Sequence, residues 1–204
     1  TTIRLKKAGT LPESIASSEK YKITNLKIIG EINGTDLKMI REMAGRNSRG
    51  DSTDGKLSVL DLSEAKIVEG GGYYYDGNYN DYYTSNDVIG SYAFQGCSGL
   101  TSLTLPASIT KIGDQAFHGC SGLKEVRFCI NDNLDTYLTK GHPYIDVDCG
   151  IKYYINDKEI TSIEIPSNVT TLGNYVFQGC SGLTSLTLPA GITSIGSWAF
   201  DGCS

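Results

Sequence analysis

The feature that most constrains this chain is a repeat. Residues 89–111 read IGSYAFQGCSGLTSLTLPASITK and residues 172–194 read LGNYVFQGCSGLTSLTLPAGITS, identical at 18 of 23 positions. Each stretch runs straight into a second, partial copy, IGDQAFHGCSGLKEVRF from Ile112 and IGSWAFDGCS from Ile195, so the register returns after 23 residues in both places. A unit this short cannot bury its own apolar face. It does so only by stacking on like neighbours, which predicts a solenoid.

Within each unit the most regular part is Leu-x-x-Leu-x-Leu, seen as Leu100/Leu103/Leu105 and Leu183/Leu186/Leu188. Looser versions stand at Leu123/Val126/Phe128, Ile160/Ile163/Ile165, Leu57/Leu60/Leu62 and Ile23/Leu26/Ile28. The alternation at its end signals a short strand, and Pro106, Pro166 and Pro189 stop that strand because proline cannot donate to a sheet ladder. The remaining Ile-Gly-x-x-Ala-Phe-x-Gly-Cys is too short for a long helix and predicts an irregular return along the convex side. A period of this length falls within leucine-rich-repeat solenoids. The expectation is therefore a leucine-rich-repeat solenoid: six short parallel strands at a 23-residue period, irregular convex returns, an N-terminal capping helix and loop insertions.

The organisation reads as one continuous domain. Residues 1–56 form an N-terminal cap with the first degenerate repeat, and 57–204 form the solenoid, interrupted by insertions at about 69–88 and 129–151. In the cap, 35–45 predicts a helix with Thr35 as N-cap, Asp36 in the first turn, Leu37, Ile40 and Met43 on one face, and Gly45 as terminator. The last repeat stops at Ser204 before its next strand, so the expectation is either a cut boundary or a parent chain that continues, and a threonine at residue 1 fits removal of a targeting segment as well as a designed start. A net charge of -5 argues against nucleic acid as a partner. No apolar run approaches the roughly 20 residues of a transmembrane segment.

Candidate contact residues fall in two groups. Tyr73, Tyr74, Tyr75, Tyr79, Tyr82 and Tyr83 lie in one Gly- and Asn-rich insertion. Tyrosine offers rigid amphipathic contact area at low entropic cost, though such rings can equally pack back onto the scaffold. The second group is the set of outward strand positions: Asn25/Lys27, Val59/Asp61, Ser102/Thr104, Glu125/Arg127, Ser162/Glu164 and Ser185/Thr187. Lys27, Asp61, Arg127 and Glu164 are its candidate charged binding residues, on a concave face of the kind solenoids use for recognition.

Chemistry beyond contact finds little support. Cys97, Cys120, Cys180 and Cys203 recur at the repeat position and read as a core ladder of thiols, with Phe94, Phe117, Phe177 and Phe200 stacked beside them. Trp198 takes the variable position of Tyr92, Gln115 and Tyr175, on the convex surface. The Asn131, Asp132, Asn133, Asp135 run lacks EF-hand spacing, and His118 and His142 have no triad partners, so no metal site, cofactor or active site is expected. An enzyme would have to draw on Asp61, Glu125 and Glu164, which sit on different rungs.

With residues 89–128 and 160–204 in view, the chain resembles the BspA-type leucine-rich repeat family, whose unit includes Ala-Phe-x-Gly-Cys-Ser-x-Leu and Leu-Pro-x-x-Ile-Thr-x-Ile-Gly. The N-terminal region is similar to the leaders of such proteins in Bacteroidetes. The resemblance implies a secreted or cell-surface, adhesion-type module that binds a host or bacterial protein or glycan without catalysis. The alternative is a structural spacer that displays a further domain. Export would permit a disulfide between Cys129 and Cys149, which bracket the third insertion. The other reading is two unrelated buried thiols.

Overall fold

The computed structural model describes residues 1–77, 80–130, 134–141, 145, 150–155 and 158–203. In chain order these form β1 (Thr2–Arg4), α1 (Leu11–Ser14), β2 (Asn25–Ile32), α2 (Gly34–Met43), β3 (Val59–Ile67), β4 (Gly70–Asp76) and β5 (Asp81–Thr84). They continue with β6 (Val88–Ile89), β7 (Ser102–Leu105), β8 (Lys111–Ile112), β9 (Glu125–Ile130), α3 (Leu134–Lys140), β10 (Gly150–Ile155) and β11 (Lys158–Glu159). The last are β12 (Ser162–Glu164), β13 (Thr171–Leu172), β14 (Ser185–Thr187) and β15 (Ser194–Ile195).

Strands of successive units pair in parallel, at the 23-residue spacing where no insertion intervenes. Leu60 lies opposite Leu103 and Leu103 opposite Val126, all fully buried, so one face of the sheet is a continuous apolar wall. Behind it the returns stack as well. Tyr92, Phe94 and Gly96 donate backbone N–H bonds to Asp114, Ala116 and His118 in the next coil, at 3.1, 2.7 and 2.8 Å. Tyr175, Phe177 and Gly179 repeat the pattern onto Ser197, Ala199 and Asp201. Phe94 stacks on Phe117 at 5.8 Å and Phe177 on Phe200 at 5.7 Å, so the rings tie the same coils that the backbone joins. The thiols behave as core atoms: Cys97 and Cys180 are buried, while Cys120 and Cys203 donate to the Phe94 and Phe177 carbonyls.

A ladder whose N–H groups all face one way leaves carbonyls facing the other. In the first stack those carbonyls belong to Ser91, Ala93 and Gln95, and the N-terminal region answers them. Tyr74 Oη donates to Ser91 O at 2.8 Å, Arg41 donates to Tyr92, Ala93 and Gln95, and Arg46 Nε donates to Gly96 O at 2.9 Å. The second stack solves the same problem with different residues. Tyr137 Oη and Tyr153 Oη donate to Val176 O and Gln178 O, both at 2.7 Å, and Ile151 N donates to Gly179 O.

The sheet departs from the expected six continuous parallel strands. Seven strands run in the order β1-β2-β3-β7-β9-β10-β11, and β12 pairs with β14 as a separate sheet. In the stretch expected as a loop at 129–151, the described residues instead form parts of a degenerate coil. Cys129 and Ile130 end β9, α3 occupies part of the return, and β10 pairs in parallel with β9 with Tyr153 opposite Phe128. Ile151, Tyr153 and Ile155 supply the alternation of a strand. With tyrosine in a leucine slot, they do not match Leu-x-x-Leu-x-Leu. The antiparallel β10–β11 pair then closes that sheet. Likewise the insertion at 69–88 is a hairpin of β4 and β5. The capping helix is present, but Asn33 rather than Thr35 is its N-cap. The Asn33 side chain accepts from the Thr35 N–H, and Asp36 accepts from the Asn33, Gly9 and Leu11 N–H groups, joining α2 to the segment before α1.

One backbone position per return is left-handed without being glycine: Tyr92, Gln115, Tyr175 and Trp198 have φ of 61°, 53°, 57° and 58°. Such a conformation costs an L-residue about 1–2 kcal/mol, and asparagine tolerates it better than most. Gln115 is exposed. Gln115→Asn is expected to hold or raise stability, and Gln115→Val to lower it by about 1–2 kcal/mol, read by urea denaturation.

Candidate functional site

Two surfaces carry the sequence candidates, and the sheet register decides what each presents. On the concave face Lys27 lies opposite Asp61, Asp61 opposite Thr104, Thr104 opposite Arg127 and Arg127 opposite Lys152. A row of five side chains from five strands therefore crosses the face. Lys27 pairs with Asp61 at 3.5 Å and with Glu64 at 2.7 Å. Farther along, Arg127 pairs with Glu125 at 2.8 Å, while Lys152 reaches Glu125 at 3.7 Å and Glu159 at 3.4 Å. The Arg127 guanidinium also lies 5.3 Å over the Tyr154 ring. Partial burial alone would raise the Glu125 carboxyl, but hydrogen bonds from Ser102 and Arg127 outweigh it and hold the group below the usual carboxylate range. Glu164 stands apart, opposite Thr187 on the separate sheet.

Tyr73, Tyr74, Tyr75 and Tyr82 of the hairpin pack onto the scaffold. Tyr74 is buried, with its hydroxyl spent on the Ser91 carbonyl. Burial by the hairpin raises its phenol well above the ordinary value. Tyr75 is sandwiched between the Arg41 guanidinium at 5.0 Å and the Tyr92 ring at 5.3 Å, and Tyr82 meets Tyr92 edge-on at 5.0 Å. Tyr73 lies under the Lys38 ammonium at 4.7 Å. Among the described tyrosines of the group only Tyr83 is exposed, at 55%. The ring of Tyr74, a candidate contact residue, is thus enclosed and its hydroxyl committed to the coil. Tyr79, Cys149 and His142, and with them the Cys129–Cys149 bridge, lie outside the described residues.

Among the described residues, no group of three or more His, Cys, Asp or Glu side chains is arranged to hold a metal ion. Asp61, Glu125 and Glu164 stand on β3, β9 and β12, the first two in ion pairs. Among the same residues no helix is long and apolar enough to cross a membrane.

The profile of the BspA type leucine rich repeat region matches in six copies, over residues 79–139 and 150–204, more than half of the chain. This chain belongs to that family. Leucine-rich repeats generally mediate protein interactions without catalysis, and the BspA-type family is typically surface-associated. Solved structures of similar proteins come from three bacteria. A leucine-rich repeat protein of T. pallidum is 23% identical, with 57% of this chain and 69% of that one covered and a TM-score of 0.24. One from Eubacterium ventriosum is 16% identical, with 100% of this chain and 57% of that one covered and a TM-score of 0.33. One from Bacteroides ovatus is 19% identical, with 86% and 50% covered and a TM-score of 0.26. No curated protein matches the sequence.

In this BspA-type chain the sequence reading missed Lys152, Tyr154 and Glu159, because β10 and β11 were hidden in and beyond a presumed loop. The alternation in GIKYYI was the available signal. It also missed Arg41, fully buried, whose two terminal nitrogens donate to backbone carbonyls and whose guanidinium lies over the Tyr75 ring, with Nε left without a partner among the described residues and no carboxylate paired to it. Nothing in a helical arginine's spacing announces that role.

The capping groups make stability depend on pH at the alkaline end. Burial pushes the Cys97 thiol up to about 11 from an ordinary 9, and the Tyr74, Tyr137 and Tyr153 phenols are raised by the same cause. The unfolded chain sheds these protons first, so stability is intact below about pH 9 and falls as pH climbs toward 11. Cys97 contributes about 2–3 kcal/mol of that fall, visible as a flatter slope in Cys97→Ala. At neutral pH, Tyr74→Phe is expected to cost about 1–2 kcal/mol by orphaning the Ser91 carbonyl, against less than about 0.5 for Tyr83→Ala, both read by urea denaturation.

Proposed function

We propose that this chain is a non-catalytic, adhesion-type module, displayed at the cell surface or secreted, that binds a protein partner through its concave face. The observation that carries this reading is the cross-strand row Lys27, Asp61, Thr104, Arg127 and Lys152, whose spacing is set by the ladder. Its charges are partly exposed, with side chains of Arg127 and Lys152 at 42% and 34%. The charged side chains stand on a laddered backbone and are engaged in ion pairs, which limits the conformational freedom lost on contact. The fixed charge order of the row, positive at Lys27, negative at Asp61 and positive at Arg127 and Lys152, favours a partner with the complementary order and disfavours others, since each mismatch creates a like-charge contact. Exposed Tyr83 extends the candidate surface on the hairpin side.

The test is a binding screen of the 204-residue chain against matrix and bacterial surface proteins by surface plasmon resonance, beside the double variant Arg127→Glu, Lys152→Glu. A partner that the double variant loses by at least about tenfold, with the melting temperature held, supports the concave site. Equal binding by both proteins moves the contact elsewhere, and the Tyr83→Ala variant then reads the hairpin.

A further inference from the structure

Away from the concave face, α3 and the return that opens the second stack border an open groove of about 480 Å3, lined by Asp135, Thr139, Lys140, Asn168, Thr170 and Thr171 above Val169. Its construction is specific. Gly173 N donates to Leu138 O at 2.7 Å, and Gly141 bridges to Asn174, drawing the end of α3 against the return. That approach requires glycine on both sides: a Cβ on Gly173 would collide with Gly141 N, and one on Gly141 with the Asn174 carbonyl. The other wall is tied by Asn168 Nδ2, which donates to Asp135 Oδ2 at 2.6 Å, while Thr139 Oγ1 donates to the Asp135 carbonyl at 2.7 Å. Two segments more than thirty residues apart are thus held at fixed separation with polar groups facing the space between them.

The lining selects a chemistry. Asp135 and Lys140 cancel, so the groove carries no net charge, and an anionic ligand would meet the carboxylate while a cationic one would meet the ammonium. An apolar ligand would strip water from a carboxamide, a carboxylate and three hydroxyls without replacing its bonds. A ligand rich in neutral hydroxyls does neither. Its hydroxyl groups can donate to Asp135 and to the Asn168 carbonyl oxygen and accept from Lys140 and the threonines, while its C–H faces rest on the threonine methyls and on Val169, which is 3% exposed. The volume lies within the roughly 300–1,000 Å3 of small-molecule sites, space for roughly one or two pyranose rings. We propose that this groove is a saccharide-binding site. It is separate from the concave surface and does not depend on it.

The experiment is an amide NMR titration of the full chain with methyl α-mannopyranoside, methyl β-galactopyranoside, methyl β-glucopyranoside and N-acetylglucosamine, each at millimolar concentrations. The expected result is saturable shifts at residues 135–140 and 168–171 with at least one sugar, weakened by at least about tenfold in Asn168→Ala and in Thr170→Val. Both positions are exposed, so neither variant disturbs the core and their own spectra check the fold; Asn168→Ala also removes the tie to Asp135, whereas Thr170→Val leaves it in place and so separates ligand contact from groove construction. The proposal is overturned if no sugar gives saturable shifts there, if the shifts fall elsewhere, or if both variants retain the full response. The concave double variant should titrate like the parent chain, so loss of protein binding and loss of sugar binding are read separately.

Discussion

A backbone carbonyl turned inward toward protein must find a donor, and that requirement organises both stacks of this solenoid. The return ladder runs one way: N–H groups at Tyr92, Phe94 and Gly96 serve the next coil, so the carbonyls at Ser91, Ala93 and Gln95 face back toward the cap. Leaving one such group buried and unpaired costs about 1–3 kcal/mol, and three would consume much of a domain's net stability. The cap therefore has to do more than cover apolar side chains. Arg41 and Tyr74 reach the edge from α2 and the hairpin, and Tyr137 and Tyr153 do the same for the second stack.

The same requirement explains where the interruptions fall. The hairpin follows β3 and leads into the first return, and the degenerate coil with α3 leads into the second. Each supplies phenolic hydroxyls at the height of the exposed carbonyls. The degenerate coil also shapes both proposed surfaces: it brings Lys152 and Tyr154 beside Arg127 on the concave side, and it sets α3 against the 168–171 return to border the polar groove.

Much of this was legible. The strands at Leu100/Leu103/Leu105 and Leu183/Leu186/Leu188, the stacked phenylalanines, the exposed Trp198, the outward positions Lys27, Asp61 and Arg127, and the capping helix all follow from period and alternation. These are properties of a residue and its neighbours within one unit. The degenerate coil was not legible, because Tyr153 fills a core position that the leucine pattern assigns to a smaller side chain. Nor was the fate of Tyr74, because a tyrosine in a Gly-rich insertion reads alike whether its hydroxyl meets a ligand or a carbonyl.

By itself the sequence determined that the chain coils and which face of each strand is apolar, since a repeat that cannot bury itself alone has only stacking open to it. The tertiary structure decided which groups end each stack and which polar side chains are left for partners. The distinction is physical. Burial within a coil depends on local period, whereas a hydrogen bond from Arg41 to Ala93 or a wall shared by Asp135 and Asn168 depends on distances that exist only after the coils have packed.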